Sequence, residues 1–163
     1  MIVDSTFKQN GAGTTKGGAI YCKVYSNITV IDSTFVNNYI DTSNSGSIAY
    51  FQRGCSEAGG VFAVDKSVLH IQDSYFAMNK AKDGGVICAD TDSEVIIDSS
   101  EFINNSASSA GGVLAVIWRN VQITITYSIF TNNRAERGGV IDVLLEIQTA
   151  EALFVILMSL LVD

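Results

Sequence analysis

The sequence contains no proline, and its 163 residues include a single histidine, His70. Proline lacks a backbone N–H, so its absence is expected of a sheet in which nearly every strand has a neighbour on both sides. A lone histidine leaves one side chain that ordinarily titrates near neutral pH. The sequence has no nucleophile elbow, phosphate loop or zinc signature, which excludes the familiar sites built on those motifs.

Charged residues are also scarce, at 17% of the chain, and they are unbalanced. The chain has 10 Lys and Arg against 17 Asp and Glu, a net charge of −7. No basic cluster is present that could follow a phosphate backbone, so we expect no nucleic-acid partner. The hydrophobic content of 47% excludes a disordered chain and indicates one domain with a sizeable core.

Cysteine is limited to Cys22, Cys55 and Cys88. Three cysteines cannot all pair within the chain, and none has the spacing of metal ligands. We therefore interpret them as mostly free thiols. We expect neither a structural metal nor a cofactor.

The sequence does contain an internal repeat, in which a phenylalanine is followed three residues later by an asparagine. Five copies occur: "IVDSTFKQN" at 2, "VIDSTFVNN" at 30, "IQDSYFAMN" at 71, "DSSEFINN" at 98 and "TYSIFTNN" at 126. The aligned residues are Phe7, Phe35, Phe76, Phe102 and Phe130, with Asn10, Asn38, Asn79, Asn105 and Asn133. A glycine pair follows each copy, and the last three pairs start 27 residues apart, at 84, 111 and 138. A repeat of this length is typical of a solenoid.

Apolar residues alternate with period two before each phenylalanine and after each glycine pair, which predicts short strands whose alternate side chains face inward. No 3.6-residue apolar period is present, so helical repeats are excluded. We predict an all-β, right-handed parallel β-helix of about five to six rungs over residues 1–143. We expect the phenylalanines to stack inside and the asparagines to form a ladder at a turn. The glycine pair is expected at a corner that a β-carbon would obstruct.

One interval of the repeat is too long. Phe35 and Phe76 are 41 residues apart, whereas the next two intervals are 26 and 28 residues. We therefore predict a loop insertion at residues 47–58. Its Tyr50, Phe51 and Arg53 are candidate ligand-binding residues, because binding side chains often lie on loops. The alternative is a neutral insertion whose aromatic rings pack against the solenoid wall.

Residues 144–163 leave the repeat and form a hydrophobic C-terminal segment. Its apolar run, 152–162, is eleven residues long, short of the roughly 20 that a helix needs to span a bilayer. We interpret the segment as a cap, a terminal strand or a truncated membrane anchor. Any membrane association is expected to involve this segment or a longer parent chain. The sequence also begins inside a repeat unit, without a signal peptide, which suggests a fragment of a longer protein.

The motifs "FVNN" at 35–38, "GGAI" at 17–20 and "GGVI" at 84–87 and 138–141 resemble the paired repeats of polymorphic membrane proteins. Similar repeats occur in surface proteins of the pectin-lyase-like β-helix class. The resemblance covers roughly residues 1–143. It implies a secreted or cell-surface β-helix that acts in adhesion or interaction, with a protein or carbohydrate partner. We therefore predict a non-catalytic structural or adhesive module.

The alternative is a polysaccharide lyase or glycoside hydrolase. Resemblance to the lyase class implies acidic Ca²⁺ ligands or catalytic carboxylates on the outside of the strands. Asp65, Asp90 and Asp92 are the candidates for a metal or acid/base site, although a solvated turn also accounts for them. Similarly, Asp4, Asp32 and Asp73 each lie three residues before a phenylalanine and either bind Ca²⁺ or cap turns.

Overall fold

The computed structural model describes residues 1–13, 16–41, 55 and 58–143, and the backbone of residues 158–159. Within these residues all regular structure is β-strand, arranged in successive rungs. The first rung contains β1 (Ile2–Val3), β2 (Thr6–Lys8), β3 (Gly11–Ala12) and β4 (Ile20–Lys23). The second contains β5 (Asn27–Ile31), β6 (Thr34–Val36), β7 (Tyr39–Ile40) and β8 (Phe62–Asp65).

The later rungs repeat this order of strands. The third contains β9 (Val68–Gln72), β10 (Tyr75–Ala77), β11 (Lys80–Asp83) and β12 (Ile87–Ala89). The fourth contains β13 (Glu94–Asp98), β14 (Glu101–Ile103), β15 (Ser106–Ala110) and β16 (Leu114–Val116). The fifth contains β17 (Gln122–Thr126), β18 (Ile129–Thr131) and β19 (Ile141–Val143), and the last strand is β20 (Met158–Ser159).

Equivalent strands of successive rungs pair in parallel and form four sheets. Sheet A has the order β1-β5-β9-β13-β17-β20, sheet B β2-β6-β10-β14-β18, sheet C β3-β7-β11-β15 and sheet D β4-β8-β12-β16-β19. The predicted all-β parallel solenoid is confirmed, and sheets B and D, with five strands each, define five rungs. No helix in the described part of the chain is long and apolar enough to cross a bilayer.

The phenylalanines named above stack along the solenoid axis. Their rings pair in register across sheet B, with centroids 4.7–4.9 Å apart and planes within 5–8° of parallel. Phe35, Phe76 and Phe102 have no exposed surface. Alternate residues of sheets A and D fill the rest of the interior, since every second side chain of a strand faces the same way.

The asparagines form a continuous ladder at the corner between sheets B and C. In its centre, Asn79 Oδ1 accepts from the backbone N–H and the side-chain amide of Asn38, at 2.9 and 3.1 Å. The Asn79 amide in turn donates to the Phe35 carbonyl and to Asn105 Oδ1, both at 3.0 Å. Each buried amide is thus bonded on both sides, as a buried polar group requires.

A serine ladder, which the sequence analysis did not identify, joins the rungs at the corner between sheets A and B. From the second rung onward, each serine hydroxyl accepts from the backbone N–H of its counterpart one rung earlier, at 3.1–3.2 Å. Each hydroxyl also donates to the carbonyl two residues before it, at 2.7–2.8 Å. The residues are Ser5, Ser33, Ser74, Ser100 and Ser128.

The corner between sheets C and D is built on the glycine pairs. The first glycine of every pair has a positive φ of 57–74°, which a residue with a β-carbon adopts only with strain. The second has a different reason to be glycine. A β-carbon on Gly85 would overlap the carbonyl oxygen of Gly112 in the next rung and would lie 2.8 Å from the carbonyl oxygen of Ser106.

Candidate functional site

The residues proposed for ligand binding from the sequence, Tyr50, Phe51 and Arg53, lie outside the described residues, so their role stays a prediction. Of the same insertion the structure describes Cys55 and Ala58. Both are completely buried, in a small cluster with Ala63 and Cys88. This cluster is separate from the solenoid interior.

Cys55 forms a disulfide with Cys88, 33 residues away, with the two Cα atoms 5.8 Å apart. Cys88 lies on the outer side of sheet D, in register with Ala63 and Ala115, and all three lack exposed surface. The expectation of mostly free thiols is therefore wrong for two of the three cysteines. The pairing depends on an insertion that returns to the sheet, which cysteine spacing does not reveal. Cys22 is free and buried, and desolvation raises its pKa to about 12, so its thiolate is strongly disfavoured.

The three carboxylates of the enzyme alternative have different surroundings. Asp90 is 7% exposed and accepts hydrogen bonds from the backbone N–H of Thr91 at 2.7 Å and of Cys55 at 3.4 Å. Asp92 is exposed, has a φ of 53° and accepts from the Asn120 amide at 2.7 Å. Asp65 ends β8 and is half-buried. In the described ranges, no three His, Cys, Asp or Glu side chains lie close enough together to hold a metal ion.

The file of Asp4, Asp32 and Asp73 lies at the corner of the serine ladder. All three have a φ of 47–48°, the left-handed region that aspartate tolerates better than most residues. Their backbone N–H groups donate to carbonyls of the next rung at 3.2–3.3 Å. The turn conformation therefore explains why aspartate occurs at these three positions. His70 is half-buried on the outer face of sheet A, and its register partners, Thr29 and Ile96, carry no charge.

Asp83 is a carboxylate that the sequence analysis overlooked. It ends β11, and its Oδ1 is buried without a hydrogen-bond partner. Burial raises the pKa of Asp83 above its usual 3.8, although the Ser109 hydroxyl and the charges of Lys82 and Arg137 oppose the shift. Ionisation of Asp83 is therefore less favourable in the folded chain than in the unfolded chain, where water solvates the carboxylate.

This predicts a pH-dependent effect of Asp83→Asn. Because the pKa of Asp83 is raised in the folded state, the folded chain binds a proton at a higher pH than the unfolded chain does. The free energy of unfolding of the wild type therefore rises as pH falls through the folded-state pKa. It stops rising near 3.8, where the unfolded chain also binds the proton. Asparagine does not titrate, so the free energy of unfolding of the variant relative to wild type should be highest at neutral pH and fall as the solution is acidified. Urea denaturation at several pH values measures this. Asp4→Asn, at an exposed position, controls for the loss of one charge. A relative stability that rises on acidification would contradict the assignment.

A groove of about 950 Å³ runs along the outer side of sheet C. Buried Ile40, Ala81 and Ala107, from successive rungs, line it with mostly small side chains. A hollow of about 390 Å³ shares several of these lining residues and adds Asn104 and Asn132. We call the two together the sheet C groove.

Side chains at one repeat position of successive rungs also line the sheet C groove. They are Tyr39, Lys80, Ser106 and Arg134. The Tyr39 ring lies across Gly11, since a β-carbon there would come within 2.5 Å of the ring carbon Cζ. Lys80 and Arg134 are exposed, and neither side chain has an ion-pair or hydrogen-bond partner among the residues that the structure describes.

Comparison with known proteins supports the resemblance drawn from the motifs. Residues 4–23 match the Chlamydia polymorphic membrane protein repeat. The chain is also 27% identical, over 151 residues, to the metabotropic glutamate receptor-like protein Q of Dictyostelium discoideum; the match covers 77% of this chain and 11% of that protein. The chain therefore corresponds to a small part of this relative. No solved structure matches the chain. Residues 4–23 thus resemble a polymorphic membrane protein repeat, and the described strands form a parallel β-solenoid.

Proposed function

We propose that this chain is a non-catalytic, adhesive β-helix module of a cell-surface protein. The main support for the proposal is the structural role of Asp90, one of the three carboxylates of the enzyme alternative. One carboxylate oxygen accepts the backbone N–H of the adjacent Thr91, and the other accepts the N–H of Cys55, which fastens the insertion to the solenoid. A carboxylate held in this way supports the structure and is poorly placed to exchange protons with a substrate.

Two further features favour a location outside the cytoplasm. The matched repeat is that of polymorphic membrane proteins of Chlamydia. The disulfide between Cys55 and Cys88 also fits an oxidising environment, because such bonds form and persist mainly outside the reducing cytosol. Both features support a module displayed at the cell surface.

The proposal is tested by incubating the protein with a panel of neutral and acidic polysaccharides, with and without Ca²⁺. Retention of the protein and release of new sugar ends are both recorded. We expect retention on at least one polymer and no new ends. Release of sugar ends that Asp90→Asn abolishes would overturn the proposal in favour of a lyase or hydrolase.

The sequence makes the insertion at residues 47–58 a candidate contact surface for such a module. Replacing Tyr50, Phe51 and Arg53 together by alanine tests its share of any retention. Retention that persists unchanged in this variant would place the ligand elsewhere on the solenoid.

A further inference from the structure

We propose that Asn27 and Asn104 are N-glycosylation sites, at which the side-chain amide receives an oligosaccharide. The inference rests on the proposed function, because the transfer takes place in the secretory pathway. It depends on three observations: the sequence around each asparagine, the lack of hydrogen-bond partners for its amide, and the location of the hydroxyl two residues later.

Each of the two asparagines begins an Asn-x-Ser/Thr triplet, which is the acceptor sequence of N-glycosylation. The triplets occupy residues 27–29 and 104–106, and the sequence has no others. An attached glycan is bulky and hydrophilic, so the folded chain can carry it only where the asparagine lies in solvent. Asn27 and Asn104 meet this condition, because both are exposed.

The amide of Asn104 differs from that of its neighbour in having no partner. Asn105 is completely buried, and its Nδ2 donates to the Phe76 carbonyl and to Asn133 Oδ1, at 3.0 and 3.1 Å. The Asn104 amide, by contrast, has no hydrogen-bond partner among the residues that the structure describes. The same is true, within the described ranges, of the Asn27 amide at the start of β5. Both nitrogen atoms are therefore available for a new covalent bond.

The hydroxyl of the third residue faces solvent in both triplets. In β5, Ile28 packs against the core, so its two neighbours, Asn27 and Thr29, face outward together. In the other triplet, Asn104 and Ser106 line the same hollow of about 390 Å³ on the outside of the solenoid. Each triplet thus presents the amide and the hydroxyl on one side, where the folded chain leaves both groups accessible.

The transfer joins asparagine Nδ2 to the anomeric carbon of an oligosaccharide that is carried on a lipid pyrophosphate. As this bond forms, the bond between the anomeric carbon and the pyrophosphate oxygen breaks. The lipid pyrophosphate leaves, and the amide loses one proton to a base of the transferase. In a eukaryotic cell the reaction takes place in the endoplasmic reticulum lumen, an oxidising compartment in which a disulfide such as that of Cys55 and Cys88 also forms.

Two equivalent asparagines at the corner between sheets B and C serve as internal controls. Asn37 and Asn132 have φ values of 57° and 55°, against 56° for Asn104. Asn132 is also exposed, but the residue two positions after it is Arg134 in place of Ser106. The same turn therefore occurs with and without the hydroxyl, and the modification should follow the hydroxyl.

The inference is tested by directing the full chain into the secretory pathway of a eukaryotic cell line with a cleavable signal peptide. Peptide N-glycosidase F removes N-linked glycans and converts each modified asparagine to aspartate, which peptide mass spectrometry then locates. Secreted and cell-retained protein are both measured, so the result does not depend on efficient secretion. We expect conversion at Asn27 and Asn104 and none at Asn37 or Asn132.

Loss of the hydroxyl should remove each glycan separately. We expect Thr29→Val to abolish the glycan at Asn27 and to leave the one at Asn104 unchanged. Ser106→Ala should have the opposite effect. Circular dichroism of the secreted variants verifies that both are folded.

Arg134→Ser tests the converse, because it makes residues 132–134 identical in sequence to residues 104–106. We expect this variant to gain a third glycan, at Asn132. Lys80→Ser is the matched control, since it places a serine at the same repeat position and also removes one positive charge. Met78 stands two residues before it, so no triplet is created and no glycan should be gained.

Several outcomes would overturn the inference. They are unmodified Asn27 and Asn104, or an Asn104 glycan that persists in Ser106→Ala; modification of only one asparagine would overturn the assignment of the other. None of these results affects the adhesive module, which can act without a glycan. Release of sugar ends in the polysaccharide panel, by contrast, would remove the proposed function whether or not the chain is glycosylated, so the two failures are distinguishable.

Discussion

Gly85→Ala is expected to destabilise the solenoid by about 3 kcal/mol or more. The new β-carbon would overlap the Gly112 carbonyl oxygen and would lie 2.9 Å from the carbonyl carbon of Ser106. Both neighbours are backbone atoms of the next rung, and they cannot rotate away as a side-chain end does. Relief requires the third and fourth rungs to separate, which would weaken the pairing of β12 with β16. Urea denaturation followed by circular dichroism and Trp118 fluorescence measures the loss.

Gly13→Ala is the matched control for this substitution. A β-carbon at Gly13 meets no atom within 4 Å, so the variant should retain the stability of the wild type within about 0.5 kcal/mol. The same chemical change at two glycines thus separates a packing requirement from the general effect of glycine on the unfolded chain. Equal stabilities of the two variants would refute close approach as the reason for the glycine pair.

Asn79→Ala is expected to cost about 4 kcal/mol, because it removes four hydrogen bonds in the completely buried part of the asparagine ladder. The Asn38 N–H and side-chain amide, the Phe35 carbonyl and Asn105 Oδ1 all lose a partner. Water has no direct access to replace it. Thermal and urea unfolding of the variant should both show the loss.

Asn27→Ala is the control for the ladder substitution. Asn27 is exposed at the start of β5, so its replacement should change the free energy of unfolding by less than about 0.5 kcal/mol. Asn79→Asp is also informative, because it keeps the size of the side chain and loses the two amide donors. If Asn79→Asp were as stable as wild type, the amide bonds to Phe35 and Asn105 would contribute little.

The sequence was sufficient to predict the fold because the repeat fixes the register. Phe76 pairs with Phe35 and Phe102, and the file of phenylalanines is visible in the alignment of the five copies. The glycine corner was predictable for the same reason. One side chain per rung at a constant position indicates a stacked file, whichever interaction holds it together.

The serine ladder was equally visible, since a serine precedes each phenylalanine by two residues in all five copies. It was missed because serine at a turn is usually explained by local bonding, whereas Ser33 and Ser74 bond between rungs. The disulfide had no such signal. Cys55 lies in the insertion, outside the repeat, and its partner Cys88 faces outward, so register alone does not bring the two together.

The sheet C groove was also beyond sequence reasoning, because small residues at Ala81 and Ala107 resemble ordinary core positions of a strand. Whether such residues border a groove depends on which residues lie next to them in the folded chain. Lys80 and Arg134 are far apart in the chain, and only the stacking of rungs places them in one file.

The insertion between β7 and β8 shows how freely this scaffold admits new sequence. Ile40 is still in register with Ala12 before it, and Phe62 with Ile20 and Ile87 after it, so the extra residues leave the pairing on both sides unchanged. Backbone bonds to both neighbouring rungs resume at Ala58, where the insertion ends, so the insertion lies between two points of unchanged pairing. The same connection in other rungs should therefore accept foreign peptides, which makes this solenoid a frame for displaying grafted loops at chosen heights along its axis.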